Sequence, residues 1–180
     1  MIYTASKPTL CGAIFTSLIL AILCMHQMAS AAGMDTTSKW AWSANAGWIN
    51  FNPTAGGSVS VYRDHLEGYI WAENFGWIRL GTYTGGSPHT YENSALNNYG
   101  VNRDPGGRLT GYGWGANVGW INFAPFGGGV TIDPGTGAFA GYAWGENVGW
   151  IGLKGGSGAT AYGVVTDFRQ IYLPLILKLS

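Results

Sequence analysis

The fold of this 180-residue chain is decided by one stretch, Gly141-Tyr142-Ala143-Trp144-Gly145-Glu146-Asn147-Val148-Gly149-Trp150-Ile151, which the chain repeats. One close copy precedes it and two looser copies lie further upstream, so the repeat cores are residues 40–51, 68–80, 111–123 and 141–153. All nine tryptophans fall inside these cores. A unit repeated in this way cannot bury its apolar face alone, and it therefore packs against its siblings.

The last copy shows how one unit is organised. Residues 129–133 form a short β-prone run, residues 134–137 have the composition of a turn, and residues 138–144 resume a strand that reverses at Asn147. Asparagine suits this turn because it tolerates positive φ and can bond its own backbone. The same place is taken by Asn45, Asn74 and Asn117. Each unit is therefore predicted to be a three-stranded antiparallel meander, and no segment shows a comparable helical period.

The two tryptophans of a hairpin are expected to lie on opposite faces of the sheet. If Trp144 pairs with Gly149, then Ala143 faces Trp150, and each indole has a small residue across from it. Both faces of the sheet would then be covered. Because no disulfide is available to hold the domain, we expect most of the indoles to be buried in the core.

The copies alternate in type. The first and third continue as Asn-Phe-x-Pro, at residues 50–53 and 122–125, whereas the second and fourth carry Glu73 and Glu146 in the turn. The sequence therefore predicts a single all-β domain at residues 32–170. It consists of four tandem antiparallel meander repeats in A-B-A-B order, which form a sandwich, a barrel or a propeller-like closed sheet system.

The two ends of the repeat array complement each other. Copy one has no first strand, and a surplus strand at residues 162–167 follows copy four. This strand could complete unit one within the chain, which avoids the entropic cost of association, or in a neighbouring molecule by strand exchange. The residues that would exchange are Tyr162, Gly163, Val164, Val165, Thr166 and Asp167.

The first 31 residues have the three regions of a secretory signal peptide: Lys7, an apolar run at residues 12–25, and the small-residue ending Ala29-Ser30-Ala31. The apolar run is shorter than the roughly 20 residues of a spanning helix, so no transmembrane segment is expected after cleavage. Both cysteines lie in this segment, and the exported protein is therefore expected to lack disulfides. The apolar tail at residues 171–180 is expected to form an edge strand or a docking peptide.

Composition argues against several functions. Nine Lys and Arg balance nine Asp and Glu with no run of either sign, so nucleic acid and anionic membranes are poor partners. His65 and His89 have no metal-like or triad-like partner nearby in sequence and are expected to be solvated loop residues. The aspartates at 104 and 133 precede Pro-Gly and are expected to start turns, in preference to binding calcium. No cofactor, metal or catalytic residue is predicted, and the protein is not expected to be an enzyme.

A glycan site remains possible, because aromatic side chains bind sugars by stacking. Core packing is the simpler role for the repeated tryptophans, so such a site is expected in the connection at residues 81–98, which escapes the repeat pattern. The candidate ligand-binding residues there are Tyr83, His89, Tyr91, Glu92 and Asn93.

The phrase Gly-Tyr-x-Trp-x-x-Asn-x-Gly-Trp-Ile, four times between residues 40 and 153, resembles that of a group of uncharacterised secreted bacterial repeat proteins. The resemblance implies export, a bacterial origin and a β-rich repeat, and it implies no catalytic residue. We expect a secreted, non-enzymatic structural or adhesive protein of the cell surface or extracellular matrix, self-assembling by terminal strand exchange. The alternative is a carbohydrate-binding, lectin-like module whose partner is an extracellular glycan.

Overall fold

The computed structural model describes residues 31–168. The predicted signal peptide, up to residue 30, and the predicted apolar tail at residues 171–180 lie outside the described residues. Between them the chain forms thirteen strands and one short 3-10 helix, Gly158–Thr160. Within residues 31–168, no helix has the length and apolar character needed to cross a membrane.

The strands follow one another in four similar groups. Their bounds are β1 Met34–Ser43, β2 Gly47–Asn50, β3 Val59–Val61, β4 Leu66–Ala72, β5 Gly76–Arg79, β6 Val101–Arg103, β7 Leu109–Gly115, β8 Gly119–Asn122, β9 Gly129–Ile132, β10 Phe139–Gly145, β11 Gly149–Gly152, β12 Lys154–Gly155 and β13 Tyr162–Thr166.

Eight of these strands close into an antiparallel barrel. The four hairpins β1–β2, β4–β5, β7–β8 and β10–β11 stand side by side in chain order around the barrel, and β11 pairs with β1 to close it. The closing register brings Trp42 opposite Gly152 and Ser43 opposite Ile151. The predicted all-β fold and closed sheet system are therefore confirmed, and the closed form is a barrel.

Each hairpin carries one further strand at the same end of the barrel. β3 pairs with β4, β6 with β7, and β9 with β10, so units two, three and four are the predicted meanders. In unit one this place is taken by β13, which pairs with β1 through Met34 opposite Thr166 and Lys39 opposite Val164. The surplus strand thus completes unit one within its own chain.

The hairpin register differs by one residue from the predicted one. Trp144 pairs with Trp150 and Gly145 with Gly149, so three residues form the loop and Gly149 has φ +68°. The amide of Val148 closes the turn by donating to the carbonyl of Gly145 at 3.2 Å, and Gly149, in the left-handed region, follows the turn. Because a shift of one residue moves a side chain to the other face, both indoles point outward and the expectation of opposite faces is wrong.

The barrel interior is built from small and branched side chains. Ile151 faces Ala143 across the hairpin, and both are buried. The equivalent isoleucines of the other hairpins are also buried: Ile49, Ile78 and Ile121. An eight-stranded barrel leaves inner space only for side chains of about this size. All nine tryptophans are instead between 36% and 47% exposed, which overturns the expectation that most of them are core residues.

The asparagines of the hairpin turns link neighbouring hairpins. None of them has positive φ, which falls on the glycine two residues later. The amide nitrogen of Asn117 donates to the carbonyl of Phe75 at 3.0 Å, that of Asn147 to Val118 at 3.1 Å, and that of Asn74 to Asn45 at 3.4 Å. The Ser43 hydroxyl completes the ring by donating to the carbonyl of Val148 at 2.7 Å.

Candidate functional site

The outer face of the barrel carries a repeated aromatic arrangement, which we call the aromatic belt. In each hairpin the second tryptophan meets the aromatic residue eight positions earlier, edge to face. The ring centroids lie 6.3 Å apart in Trp40–Trp48, 6.3 Å in Tyr69–Trp77, 6.0 Å in Tyr112–Trp120 and 6.3 Å in Tyr142–Trp150.

The belt has two kinds of hairpin, because one neighbouring position alternates between tyrosine and glycine. In units one and three a tyrosine stands edge to face against the second tryptophan: Tyr162 lies 5.3 Å from Trp48, and Tyr99 lies 4.9 Å from Trp120. In units two and four the same position, two residues before the valine of the additional strand, holds Gly57 or Gly128.

These two glycines leave the space that an indole occupies. A Cβ on Gly57 would lie 2.6 Å from Cζ3 of Trp77, and a Cβ on Gly128 would lie 2.7 Å from Cζ3 of Trp150. The second tryptophans of units two and four therefore lie over backbone that carries no side chain. In units one and three the second tryptophan instead contacts a tyrosine ring.

A groove of about 940 Å³, which we call groove one, opens at the tyrosine-flanked tryptophan of unit one. Four aromatic rings line it together with a wall formed by the segment around the 3-10 helix. The lining residues are Thr37, Ser38, Trp40, Trp48, Asn50, Trp71, Glu73, Ala159, Thr160, Ala161, Tyr162, Gly163 and Val165.

Polar groups are spread among the rings of groove one. The Oδ1 atom of Asn50 accepts the amide of Asn52 at 2.8 Å, which fixes this side chain on the outer face. The Lys39 ammonium lies 5.7 Å from the centre of the Trp40 ring, over its face. Glu73 is exposed, and its side chain makes no hydrogen bond or ion pair to any residue in the range 31–168. Glu73 is also the one charged side chain among the lining residues.

The two flanking tyrosines keep their hydroxyl protons. Burial raises the pKa of Tyr162, and the nearby Tyr142 raises it further. Burial also raises the pKa of Tyr99, against a smaller opposing effect of Arg79. Both phenols are therefore neutral at physiological pH and can both donate and accept a hydrogen bond.

The five residues predicted to bind a ligand lie in different surroundings. Tyr91 is buried, and its hydroxyl donates to the carbonyl of Leu66 at 3.0 Å. Tyr83 is half-buried and stacks on His89, with the ring centroids 3.8 Å apart. Glu92 is exposed.

Asn93, the last of the five, bonds within its own loop. It has φ +56°, and it accepts the amide of Gly100 at 3.0 Å. It also lines a second groove, described below.

A buried cluster around His65 holds the connection at residues 81–98 in place. Nδ1 of His65 lies 2.7 Å from Oδ1 of Asp64, and Nε2 lies 2.9 Å from Oε1 of Glu67. The Asp64 carboxylate also accepts the hydroxyl of Ser87 at 2.8 Å and the amide of His89 at 3.0 Å. His65 is fully buried, so the expectation of a solvated loop histidine is wrong for it.

The cluster shifts two pKa values downward. Burial alone raises the pKa of Asp64, but hydrogen bonds from His65, Ser87 and His89 outweigh it and hold the pKa below its usual value. Burial and the nearby His65 lower the pKa of His89, against the smaller opposing effect of Asp64 and Glu67.

The two aspartates predicted to start turns, Asp104 and Asp133, do so. Asp104 accepts the amide of Arg108 at 2.8 Å, and Asp133 accepts the amides of Gly135 at 3.0 Å and Thr136 at 2.7 Å. Among residues 31–168, no group of three or more His, Cys, Asp or Glu side chains could hold a metal ion.

The residues predicted to exchange between molecules pair with β1 of their own chain. Tyr162 to Thr166 form β13, and the amide of Asp167 donates to the carbonyl of Gly33 at 3.0 Å. Tyr162, Gly163 and Val165 also line groove one. The sequence pattern predicted that this segment is a strand, but it did not predict that its side chains border a groove.

Sequence reasoning also missed the exposed tryptophans of groove one. The alternation of Tyr99 and Tyr162 with Gly57 and Gly128 is the signal that could have found them, since it marks two hairpins as different from the other two. No protein-family model, curated protein or solved structure gives a significant match to this chain.

Proposed function

We propose that this protein binds a neutral polysaccharide in groove one and acts as a secreted carbohydrate-binding, adhesive module. The observation that carries the proposal is the exposure of tryptophan beside an open groove. Trp48 is 41% exposed and Trp71 is 39% exposed, although the barrel interior is already filled without them. Contiguous exposed aromatic surface is typical of interaction sites.

The chemistry of groove one suits a sugar. The apolar face of a pyranose ring carries C–H groups that stack on an aromatic ring, while its hydroxyls exchange hydrogen bonds with amides, hydroxyls and carboxylates. Groove one presents the indoles of Trp40, Trp48 and Trp71 for the first purpose. For the second it presents Thr37, Ser38, Asn50, Glu73, Thr160 and Tyr162.

The near absence of charge in groove one favours a neutral ligand. Glu73 would repel the carboxylates or sulfates of an acidic glycan. A retaining or inverting glycosidase needs a pair of carboxylates about 5–10 Å apart, and the lining of the groove contains Glu73 alone. Binding without hydrolysis is therefore part of the proposal.

A structural role through strand exchange is supported less well. β13 already completes unit one of its own chain, and the hydroxyl of Thr166 donates to the carbonyl of Gly33 at 2.7 Å. Exchange would first require these bonds to break, which costs more than pairing a strand that is already free. Adhesion by polysaccharide binding needs no such opening and agrees with the expected export.

The proposal is tested with purified protein and four neutral polysaccharides: cellulose, xylan, mannan and chitin. We expect retention on at least one of them. Trp48→Ala should weaken binding of the matching hexasaccharide to groove one by about tenfold or more, because truncating a central aromatic anchor commonly has an effect of this size. Isothermal titration calorimetry measures the affinity.

Trp150→Ala is the matched control. Trp150 occupies the same repeat position as Trp48 and is 47% exposed, but it lies over Gly128. Its truncation should leave affinity for the hexasaccharide unchanged. Equal losses in the two variants, or no retention of the parent protein on any of the four polysaccharides, would overturn the proposal.

A further inference from the structure

We propose that the protein has a second polysaccharide-binding groove on the opposite side of the barrel, around Trp120 and Tyr99, so that one molecule bridges two glycan chains. This inference rests on the proposed function of groove one. It deepens that function, because a binder with two opposed sites acts as a cross-linker.

A second groove, of about 490 Å³, opens at Trp120; we call it groove two. Its lining residues are Asn93, Ser94, Ala95, Leu96, Tyr99, Tyr112 and Trp120. Trp120 is 40% exposed, against 41% for Trp48 in groove one. No charged side chain is among the lining residues, so the ligand that fits is again uncharged and carries both apolar and hydroxyl faces.

The same aromatic arrangement recurs in both grooves. In groove two, Trp120 meets Tyr112 at 6.0 Å and 75°, and Tyr99 at 4.9 Å and 90°. In groove one, Trp48 meets its partners Trp40 at 6.3 Å and 74°, and Tyr162 at 5.3 Å and 83°. In each groove two rings stand nearly perpendicular to the exposed indole, which is the shape of a slot for a flat ring.

The remaining walls are built by equivalent connections. Each even unit is joined to the tyrosine of the next odd unit by a connection that leaves the repeat pattern. One connection supplies Asn93 to Leu96 of groove two, and the other supplies Ala159 to Ala161 of groove one. The connections that lead instead to Gly57 and Gly128 place those glycines beneath an indole.

The order of the hairpins sets the direction of the two grooves. Around the closed barrel the hairpin of unit one is separated from that of unit three by unit two on one side and unit four on the other. Grooves one and two therefore face away from each other. Two glycan strands held in them could not compete for space, and each molecule would join them.

The test measures two quantities, the number of hexasaccharides bound per chain and the cross-linking of a soluble polysaccharide. The parent protein should bind two molecules of the hexasaccharide that matches its polysaccharide, and it should precipitate the soluble form of that polysaccharide. Trp48→Ala and Trp120→Ala should each bind one hexasaccharide and lose precipitation. The double variant should lose binding, while the control Trp150→Ala should keep two sites.

The outcomes separate this inference from the proposed function. One hexasaccharide per parent chain, with binding lost in Trp48→Ala and unchanged in Trp120→Ala, would overturn the second groove and leave groove one standing. Failure of every variant and of the parent to bind would overturn both. Circular dichroism of each variant identifies any loss that is due to misfolding.

Discussion

Trp144 lies directly opposite Trp150 in the fourth hairpin, and both indoles project from the outer face of the barrel. Their neighbours in sequence, Ala143 and Ile151, form the adjacent pair and point into the core. The same alternation holds in all four hairpins, so the tryptophans lie outside, while the core contains aliphatic side chains together with Phe51, Phe123 and Phe139.

This arrangement predicts that a core isoleucine matters more for stability than an exposed tryptophan. Ile151→Ala should lower the free energy of unfolding by about 2–5 kcal/mol, because it leaves a cavity in a closed barrel. Trp150→Ala should cost less, about 1 kcal/mol, since it removes an edge-to-face contact on the surface. Urea denaturation followed by circular dichroism measures both values. A larger loss for Trp150→Ala would contradict the assignment of the inner face.

The glycine before each belt tyrosine is predicted to be indispensable. Gly141 has φ +91°, and a Cβ there would collide with the carbonyl oxygen of Gly129. Gly141→Ala should therefore destabilise the protein by about 1–3 kcal/mol or more, whereas a glycine-to-alanine substitution at an unstrained position is neutral or slightly stabilising. Gly163→Ala is the control, because the nearest atom to its Cβ, in Lys154, lies at 3.9 Å. Similar melting temperatures for the two variants would contradict this prediction.

The ring of turn hydrogen bonds predicts that Ser43 matters more for stability than Asn45, two residues later. Ser43→Ala should cost about 1 kcal/mol or more, because it leaves the Val148 carbonyl without its buried partner. Asn45→Ala should cost less, because the Asn45 side chain makes no hydrogen bond to any other residue in the range 31–168. Thermal melting of the two variants, with Asn147→Ala as a positive comparison, measures the order. Equal effects at positions 43 and 45 would count against the ring.

The structure predicts a monomer in solution. The pairing of β13 with β1 satisfies the edge that a neighbouring molecule would otherwise occupy. Sedimentation velocity should give one monomeric species across a wide range of protein concentrations, and electron microscopy should show separate small particles. Filaments whose amount rises with concentration would show that strands exchange between molecules.

Acid is predicted to destabilise the protein in two steps. The folded-state pKa of His89 lies below its usual value of 6.5, so the unfolded chain binds the proton first and stability falls as the pH drops through that value. The folded-state pKa of Asp64 lies below its usual value of 3.8, so a further loss follows below that pH. Asp64→Asn should remove the second step and leave the first. Urea midpoints between pH 8 and pH 3 measure this profile, and stability that rises toward acid would contradict it.

The sequence determined the repeat, the strands and their order. The strongest signals were local: the β-prone runs, the glycines and asparagines of the turns, and the self-similarity of the units. The missing first strand of unit one and the surplus strand after unit four also predicted that β13 would complete unit one, either in its own chain or in a neighbouring molecule, and in the structure it does so within its own chain.

Only the tertiary structure decided which side chains lie inside. A hairpin loop of three residues instead of four shifts the register by one, and that single step brings the two indoles of each hairpin, predicted on opposite faces, onto the same outer face. The positive φ that selects the shorter loop belongs to Gly149, and the motif alone did not distinguish it from Asn147.

The grooves and the His65 cluster depend on contacts far apart in the chain. Trp48 meets Tyr162 only because β13 returns to β1. The connection at residues 81–98 helps to bury His65, because the rings of Tyr83, His89 and Tyr91 pack against its imidazole. The sequence fixes local conformation through the periodicity of its side chains, whereas the choice of face and the meeting of distant aromatic rings follow from the closure of eight strands around a core of limited volume.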